Sequence, residues 1–206
     1  IVLPQRIRAK RRKISACKKL DCVYSYIFRC PHEGGVCTIA AMNDMATPSV
    51  SLEGKNLWLA QSLPVTPWQV LRAKLKVQLA LTAIPALVPL ACMVLVLPLT
   101  PALPLIFVTA LSYIVFSACL GLTLGVMRAN LTWTNELAPV KQSLAVAIAM
   151  FGGWAYALLL AGLYLLLGWR IGAAVYLALV SAATIAAALA LLKWLKTKGA
   201  QRLAAL

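Results

Sequence analysis

Charge disappears from this chain in two long intervals. From Val77 to Val126 there is no Asp, Glu, Lys or Arg, and a second uncharged interval runs from Gln142 to Trp169. A helix crossing a hydrocarbon core of about 30 Å needs about 20 mostly apolar residues. The first interval is therefore long enough for two spans. Pro98, Pro101 and Pro104 in LPLTPALP supply the break between them, because proline removes a backbone donor and crowds the preceding turn. The pattern predicts spans near 77–97 and 104–126, a third near 144–167, a tight turn at Gly168-Trp169-Arg170, and a fourth over 171–192. All faces of these segments are apolar, so their amides are satisfied within the helix while lipid or neighbouring helices cover the side chains. The expected fold is an all-α membrane protein with four transmembrane helices.

The segment ahead of the first span is amphipathic. Thr66-Pro67 reads as a helix start, a hydroxyl cap followed by a ring pre-set for the first helical position. From there Trp68, Leu71, Leu75 and Leu79 fall at helical spacing on one face, and Gln69, Arg72 and Lys76 mark another. Such a helix lies at the membrane surface and turns into the span. Leu52 to Gln61 is a further short helix candidate, carrying Glu53, Lys55 and Trp58 and ended by Ser62-Leu63-Pro64. The pattern fits an interfacial anchor and a docking surface for a partner equally well.

Composition agrees with the spans: 62% of the 206 residues are hydrophobic and the mean hydropathy is +0.86. Twenty Lys and Arg against five Asp and Glu give a net charge of +15. With uncharged spans, that excess lies in loops and ends and suits anionic lipid head groups. Lys55, Arg72, Lys74 and Lys76 precede the first span, Arg128 and Lys141 follow the second, and Lys193, Lys196, Lys198 and Arg202 follow the fourth. The loop at 98–103 has no charge, and the third span is followed by Arg170 alone. The positive-inside bias then places both ends of the 41–206 region and the central loop in the cytoplasm of a multi-pass cell-membrane protein. Trp194 and Trp169 fall where interfacial aromatics are expected. Asn130-Leu131-Thr132 fits a glycosylation acceptor, but on this topology it faces the cytoplasm.

Residues 1–40 are of another character. They carry nine of the twenty basic residues and four of the six cysteines, do not open with Met, and read as a truncated or misjoined segment, disordered or aberrant. The apolar run CVYSYIF is interrupted by Arg29, Pro31, His32 and Glu33, which excludes a cleaved signal. Cys17, Cys22, Cys30 and Cys37 with His32 do not have the Cys-x2-Cys spacing that tetrahedral zinc sites use, so no metal is assigned. The basic run from Arg6 to Lys19 reads as a solvated tail, and no nucleic-acid partner is assigned.

Catalytic chemistry finds little to work with. His32 is the only histidine, so no Ser/His/Asp triad or HExxH site can form in the membrane part. No phosphate-binding G-x-x-x-x-G-K-[ST] loop is present, the four spans contain no carboxylate, Lys or Arg, and the expectation is a non-enzyme without cofactors. Tyr113, Tyr156, Tyr164 and Tyr176 offer hydroxyls. Cys92 and Cys119 serve as small apolar fillers. Gly121 and Gly125 form a G-x-x-x-G on the second span, a spacing that admits close helix approach, and Gly152 and Gly153 with Ala149 offer the same on the third. Pro85 and Pro89 should bend the first span.

Two stretches carry a family resemblance. Residues 51–75, SLEGKNLWLAQSLPVTPWQVLRAKL, resemble the cytoplasmic segment between the second and third spans of bacterial ABC-2 type permeases: an acidic residue, a short helix, an LPV(S/T)P-like turn and a Lys-bearing helix leading into the next span. Residues 131–153, LTWTNELAPVKQSLAVAIAMFGG, resemble the segment entering the fifth span of a subgroup of that family. The resemblance covers the chain from about residue 42. It implies a partial permease subunit whose four spans correspond to the third through sixth, and residues 1–40 do not resemble the first two. It further implies a cytoplasmic coupling segment over 41–76 that docks on a separate ABC ATP-binding subunit, and a second permease half, identical or not. Carried over by position, Glu53, Gly54, Lys55 and Asn56 open the coupling segment, Leu63, Pro64, Val65, Thr66 and Pro67 form its turn, and Lys74 ends it. Trp133 and Glu136 of the central loop are candidate partner contacts.

Two functional classes compete on these grounds. One is the permease subunit of an ATP-driven exporter, with hydrolysis on the partner. The other is a non-transporting integral membrane protein, an anchor, assembly or immunity factor, favoured by the lack of a polar intramembrane site.

Overall fold

The computed structural model describes residues 40–54, 62, 64–96, 103–131, 143–164, 166 and 173–205. In chain order the helices are α1 (Ala46–Glu53), α2 (Pro67–Val96), α3 (Leu103–Met127), α4 (Leu144–Leu163), α5 (Ala173–Trp194), a π-helical turn over Leu195–Gly199, and α6 (Ala200–Ala205). Among the described residues there is no strand. Four stretches are long and apolar enough to cross a membrane: Pro67–Ala91, Pro104–Met127, Leu144–Leu163 and Ala174–Ala205. The chain is an all-helical, multi-pass membrane protein.

Helix α3 is the centre of the bundle. It packs along α5 and also meets α1, α2 and α4. Of its most apolar stretch 56% is buried, against 17% for α4, which leaves α4 as an outer helix. Pro104 falls in the first turn of α3, where the missing N–H costs nothing. The linker 97–102 and the turn at 168–170 lie outside the described residues.

Helix α2 is longer than the span expected from Val77. It starts at Pro67 and runs 30 residues, about 45 Å at 1.5 Å per residue, so its first turns extend past a hydrocarbon core. Entry helix and span are one continuous rod, because nothing between Pro67 and Val77 breaks helical geometry. The rod also continues through Pro85 and Pro89. Leu71, Leu75, Gln78, Thr82, Ala86 and Leu90 are buried, a stripe at three- to four-residue spacing that faces α1 and α3.

The fourth span also outruns its expected end at Leu192. The helix passes Lys193 and continues through the π-helical turn to Ala205. Leu195, Gly199 and Leu203 are buried, and the cations Lys193, Lys196, Lys198 and Arg202 are exposed. The amphipathic continuation was hidden because its charges were read as a boundary, whereas its apolar residues keep helical spacing.

Two packed layers result. One joins Ala46 and Val50 of α1, Leu71 and Leu75 of α2, Cys119, Leu122 and Val126 of α3, and Leu195 and Leu203. The other joins Ala40, Ala86 and Leu90 to Ala110, Tyr113 and Ile114. All described basic residues lie on the elements that form the first layer, at their ends; this is the basic end of the bundle.

Candidate docking site

The site is built from the start of α2 backwards. The carbonyl of Thr66 accepts from the N–H of Gln69 at 2.8 Å and of Val70 at 3.3 Å, and the Gln69 side chain returns to accept from the Thr66 N–H at 2.8 Å. This is the side-chain-to-backbone half of a capping box, which satisfies a donor that the first helical turn leaves free. Pro64, Val65 and Thr66 stand exposed ahead of it.

Helix α1 ends at Glu53. Its carboxylate meets the Lys74 ammonium at 2.7 Å, with the two side chains 29% and 13% exposed. Lys74 also donates to the Ser49 carbonyl at 2.8 Å. The pair is partly withdrawn from water, so it is screened less than a surface pair. The second oxygen, Glu53 Oε2, is buried and finds no donor among the described residues. Gly54 closes α1 with φ 39°, left-handed backbone that suits glycine and strains other residues.

The beginning of α1 lies deeper in the bundle. Asp44 accepts from the Thr47 N–H at 3.2 Å and from the Thr47 hydroxyl, fixing the first turn as a side-chain cap does. Gln78 of α2 clamps the approach to α1: its Oε1 accepts from the Met45 N–H at 3.0 Å, and its Nε2 donates to the Asn43 carbonyl and to the Thr82 hydroxyl at 3.0 Å. Asn43 in turn donates to the Leu81 carbonyl at 2.8 Å. At the other end of α1, the Asn130 N–H after α3 donates to Ser51 Oγ at 3.1 Å.

Glycine makes this approach possible. A Cβ on Gly121 would stand 2.5 Å from Asp44 Oδ1, one on Gly125 would collide with the Thr47 carbonyl, and one on Gly153 would stand 2.6 Å from the Ala41 Cβ. The G-x-x-x-G of α3 is thus a packing face, and its partner is the 44–47 segment. Gly153 takes part in this way; Gly152 has nothing within 4 Å of a built Cβ and does not. Burial pushes the Asp44 carboxyl above its ordinary 3.8; hydrogen bonds from the Thr47 side chain and from the N–H groups of Thr47 and Ala46 partly offset this.

The sequence-derived residues fare unevenly. Glu53 and Lys74 are brought together across 20 intervening residues, Gly54 adjoins them, and Pro64, Thr66 and Pro67 lead into α2. Lys55, Asn56, Leu63, Trp133 and Glu136 lie outside the described residues, as do the cysteines at 17, 22, 30 and 37. The short helix expected over Leu52 to Gln61 is corrected in its described part: Leu52 and Glu53 are the last turn of a helix that begins at Ala46 and is stopped by Gly54. Uncharged polar side chains are also buried within the bundle. Gln78, Thr82, Ser112, Thr123, Ser181 and Thr184 are buried, and Tyr156 pairs with Thr184 at 2.9 Å between α4 and α5. Counting only charged residues missed Gln78; its place on the buried stripe of Leu71 and Leu75 was the available signal. Asp44 with Thr47 three residues on was the available signal for the start of α1.

No protein-family model, no curated protein and no solved structure matches this chain.

Proposed function

We propose that this chain is a transmembrane permease subunit of an ATP-driven exporter of the ABC-2 type, with the 53–74 segment docking on a separate ATP-binding subunit. The observation that carries the reading is the Glu53–Lys74 pair. Those two residues open and end the segment that resembles a coupling segment, and their contact ties both of its ends to α2. Movement of a docked partner at the exposed Pro64-Val65-Thr66 turn is then transmitted to α2, the helix that lines one wall of the bundle, and not absorbed by a slack loop. A second copy or a related permease half completes the path, and hydrolysis belongs to the partner. The basic end faces the cytoplasm in this reading, because positive charge is retained on that side.

The test is a charge reversal and its repair. With a candidate ABC ATP-binding subunit co-expressed, Glu53→Arg should abolish permease-dependent stimulation of ATP hydrolysis while membrane insertion persists, and the exchange Glu53→Lys with Lys74→Glu should restore most of it. Stimulation unchanged in Glu53→Arg would refute the assignment.

A further inference from the structure

Proline leaves a gap in α2 that another segment fills. Pro85 lies inside the helix and has no N–H to offer the carbonyl one turn back, that of Leu81. That carbonyl accepts instead from the side-chain amide of Asn43 at 2.8 Å. A carbonyl oxygen only accepts, so the Asn43 side chain presents its nitrogen there. Just before Leu81, Gln78 grips the same short segment through the Met45 N–H and the Asn43 carbonyl.

These contacts belong to a longer series. Asn43 meets Leu81, Met45 meets Gln78, and Ser49 and Glu53 both meet Lys74. Residues 43–53 therefore run antiparallel along α2. Each of these bonds ends on a side chain on at least one partner, so the segment can part from α2 without unwinding α1 or breaking a backbone ladder.

We infer that residues 43–53 are a detachable brace on α2, and that Asn43 is its latch: it stands in for the donor missing at Pro85, and its departure lets α2 open and bend over residues 81–85. A carbonyl stripped of its partner within a span must find water or another donor. Helices kink at proline and where a water enters the ladder, and here both causes would coincide. With the latch closed the Leu81 carbonyl is satisfied, and α2 keeps helical geometry through Pro85. The inference does not depend on the exporter reading.

The experiment is amide hydrogen exchange of the full chain in lipid nanodiscs for the wild type, Asn43→Leu, Pro85→Ala and the double substitution. Asn43→Leu keeps the approximate shape and removes the donor, whereas Pro85→Ala gives the Leu81 carbonyl a backbone N–H of its own. Asn43→Leu should raise exchange over 82–88 by at least about tenfold, the consequence of leaving a shielded carbonyl without a partner. In the Pro85→Ala background the same substitution should change exchange over 82–88 by less than about threefold. Equal rises in the two backgrounds would mean that Asn43 only anchors its own segment, and would overturn the inference. Exchange over 82–88 left unchanged in Asn43→Leu alone, whatever happens over 43–50, would overturn it as well; that comparison decides the matter even if the Pro85 variants fold poorly.

Discussion

One methyl group separates opposite outcomes along α3 and α4. Gly125→Ala drives a Cβ into the Thr47 backbone, which cannot rotate away, and we expect a loss of about 1–3 kcal/mol, as for overpacking elsewhere. Gly152→Ala meets nothing, and the gain in helix propensity should leave stability unchanged or raised by up to about 1 kcal/mol. Denaturant titration in detergent by circular dichroism compares the two. Gln78→Leu removes the partners of the Met45 N–H and the Asn43 carbonyl together. Leaving them unsatisfied should cost about 1–3 kcal/mol for each group that water cannot reach. At this scale the sequence was legible where spacing alone decides, as in Gly121-x-x-x-Gly125. It was illegible where the partner comes from a remote segment: nothing in α3 says that Asp44 and Thr47 will occupy its glycine face.

At the scale of elements, apolar periodicity placed all four long helices, and the errors are at their ends. The start at Thr66-Pro67 was legible, whereas charge was taken as the end of the fourth helix after Leu192, yet Lys193, Lys196, Lys198 and Arg202 sit on the exposed side of a helix that continues. Long basic side chains keep their heads in water while their helix stays packed, so charge marks the membrane boundary and not the helix end. The described part of α1 was misplaced for another reason: an eight-residue helix has too few turns for periodicity to register, and its limits are set by Asp44 and Gly54. The continuation past α5 predicts a local effect. Leu203→Ala should raise amide exchange over 195–205 by at least about tenfold, because loss of a buried Leu costs about 2–5 kcal/mol where the site cannot collapse, whereas Arg202→Ala, which is exposed, should change it by less than about threefold.

Across the whole molecule, the two packed layers set a half that carries no basic residue among those described against a basic end where α1, the start of α2 and the end of α5 meet. That division was visible in the sequence as alternation of charge between loops. The joining of Glu53 to Lys74 was not, since 20 residues separate them in the chain and no local spacing pairs them. If the basic end faces the cytoplasm, Thr197→Cys, on the exposed side of the π-helical turn, should react with a membrane-impermeant thiol reagent in inside-out vesicles, above the wild-type background, and not in intact cells.

The proposed docking is tested most directly by co-purification of this protein with a co-expressed candidate ABC ATP-binding subunit, comparing wild type with Val65→Arg. Val65 is 44% exposed at the tip of the turn, so the change should leave folding and insertion intact. The account predicts capture of the ATP-binding subunit by the wild type and its loss, at least about tenfold, in Val65→Arg, an interface cost of about 1.4 kcal/mol or more. Absence of capture by the wild type, or capture indifferent to Val65→Arg, would contradict it.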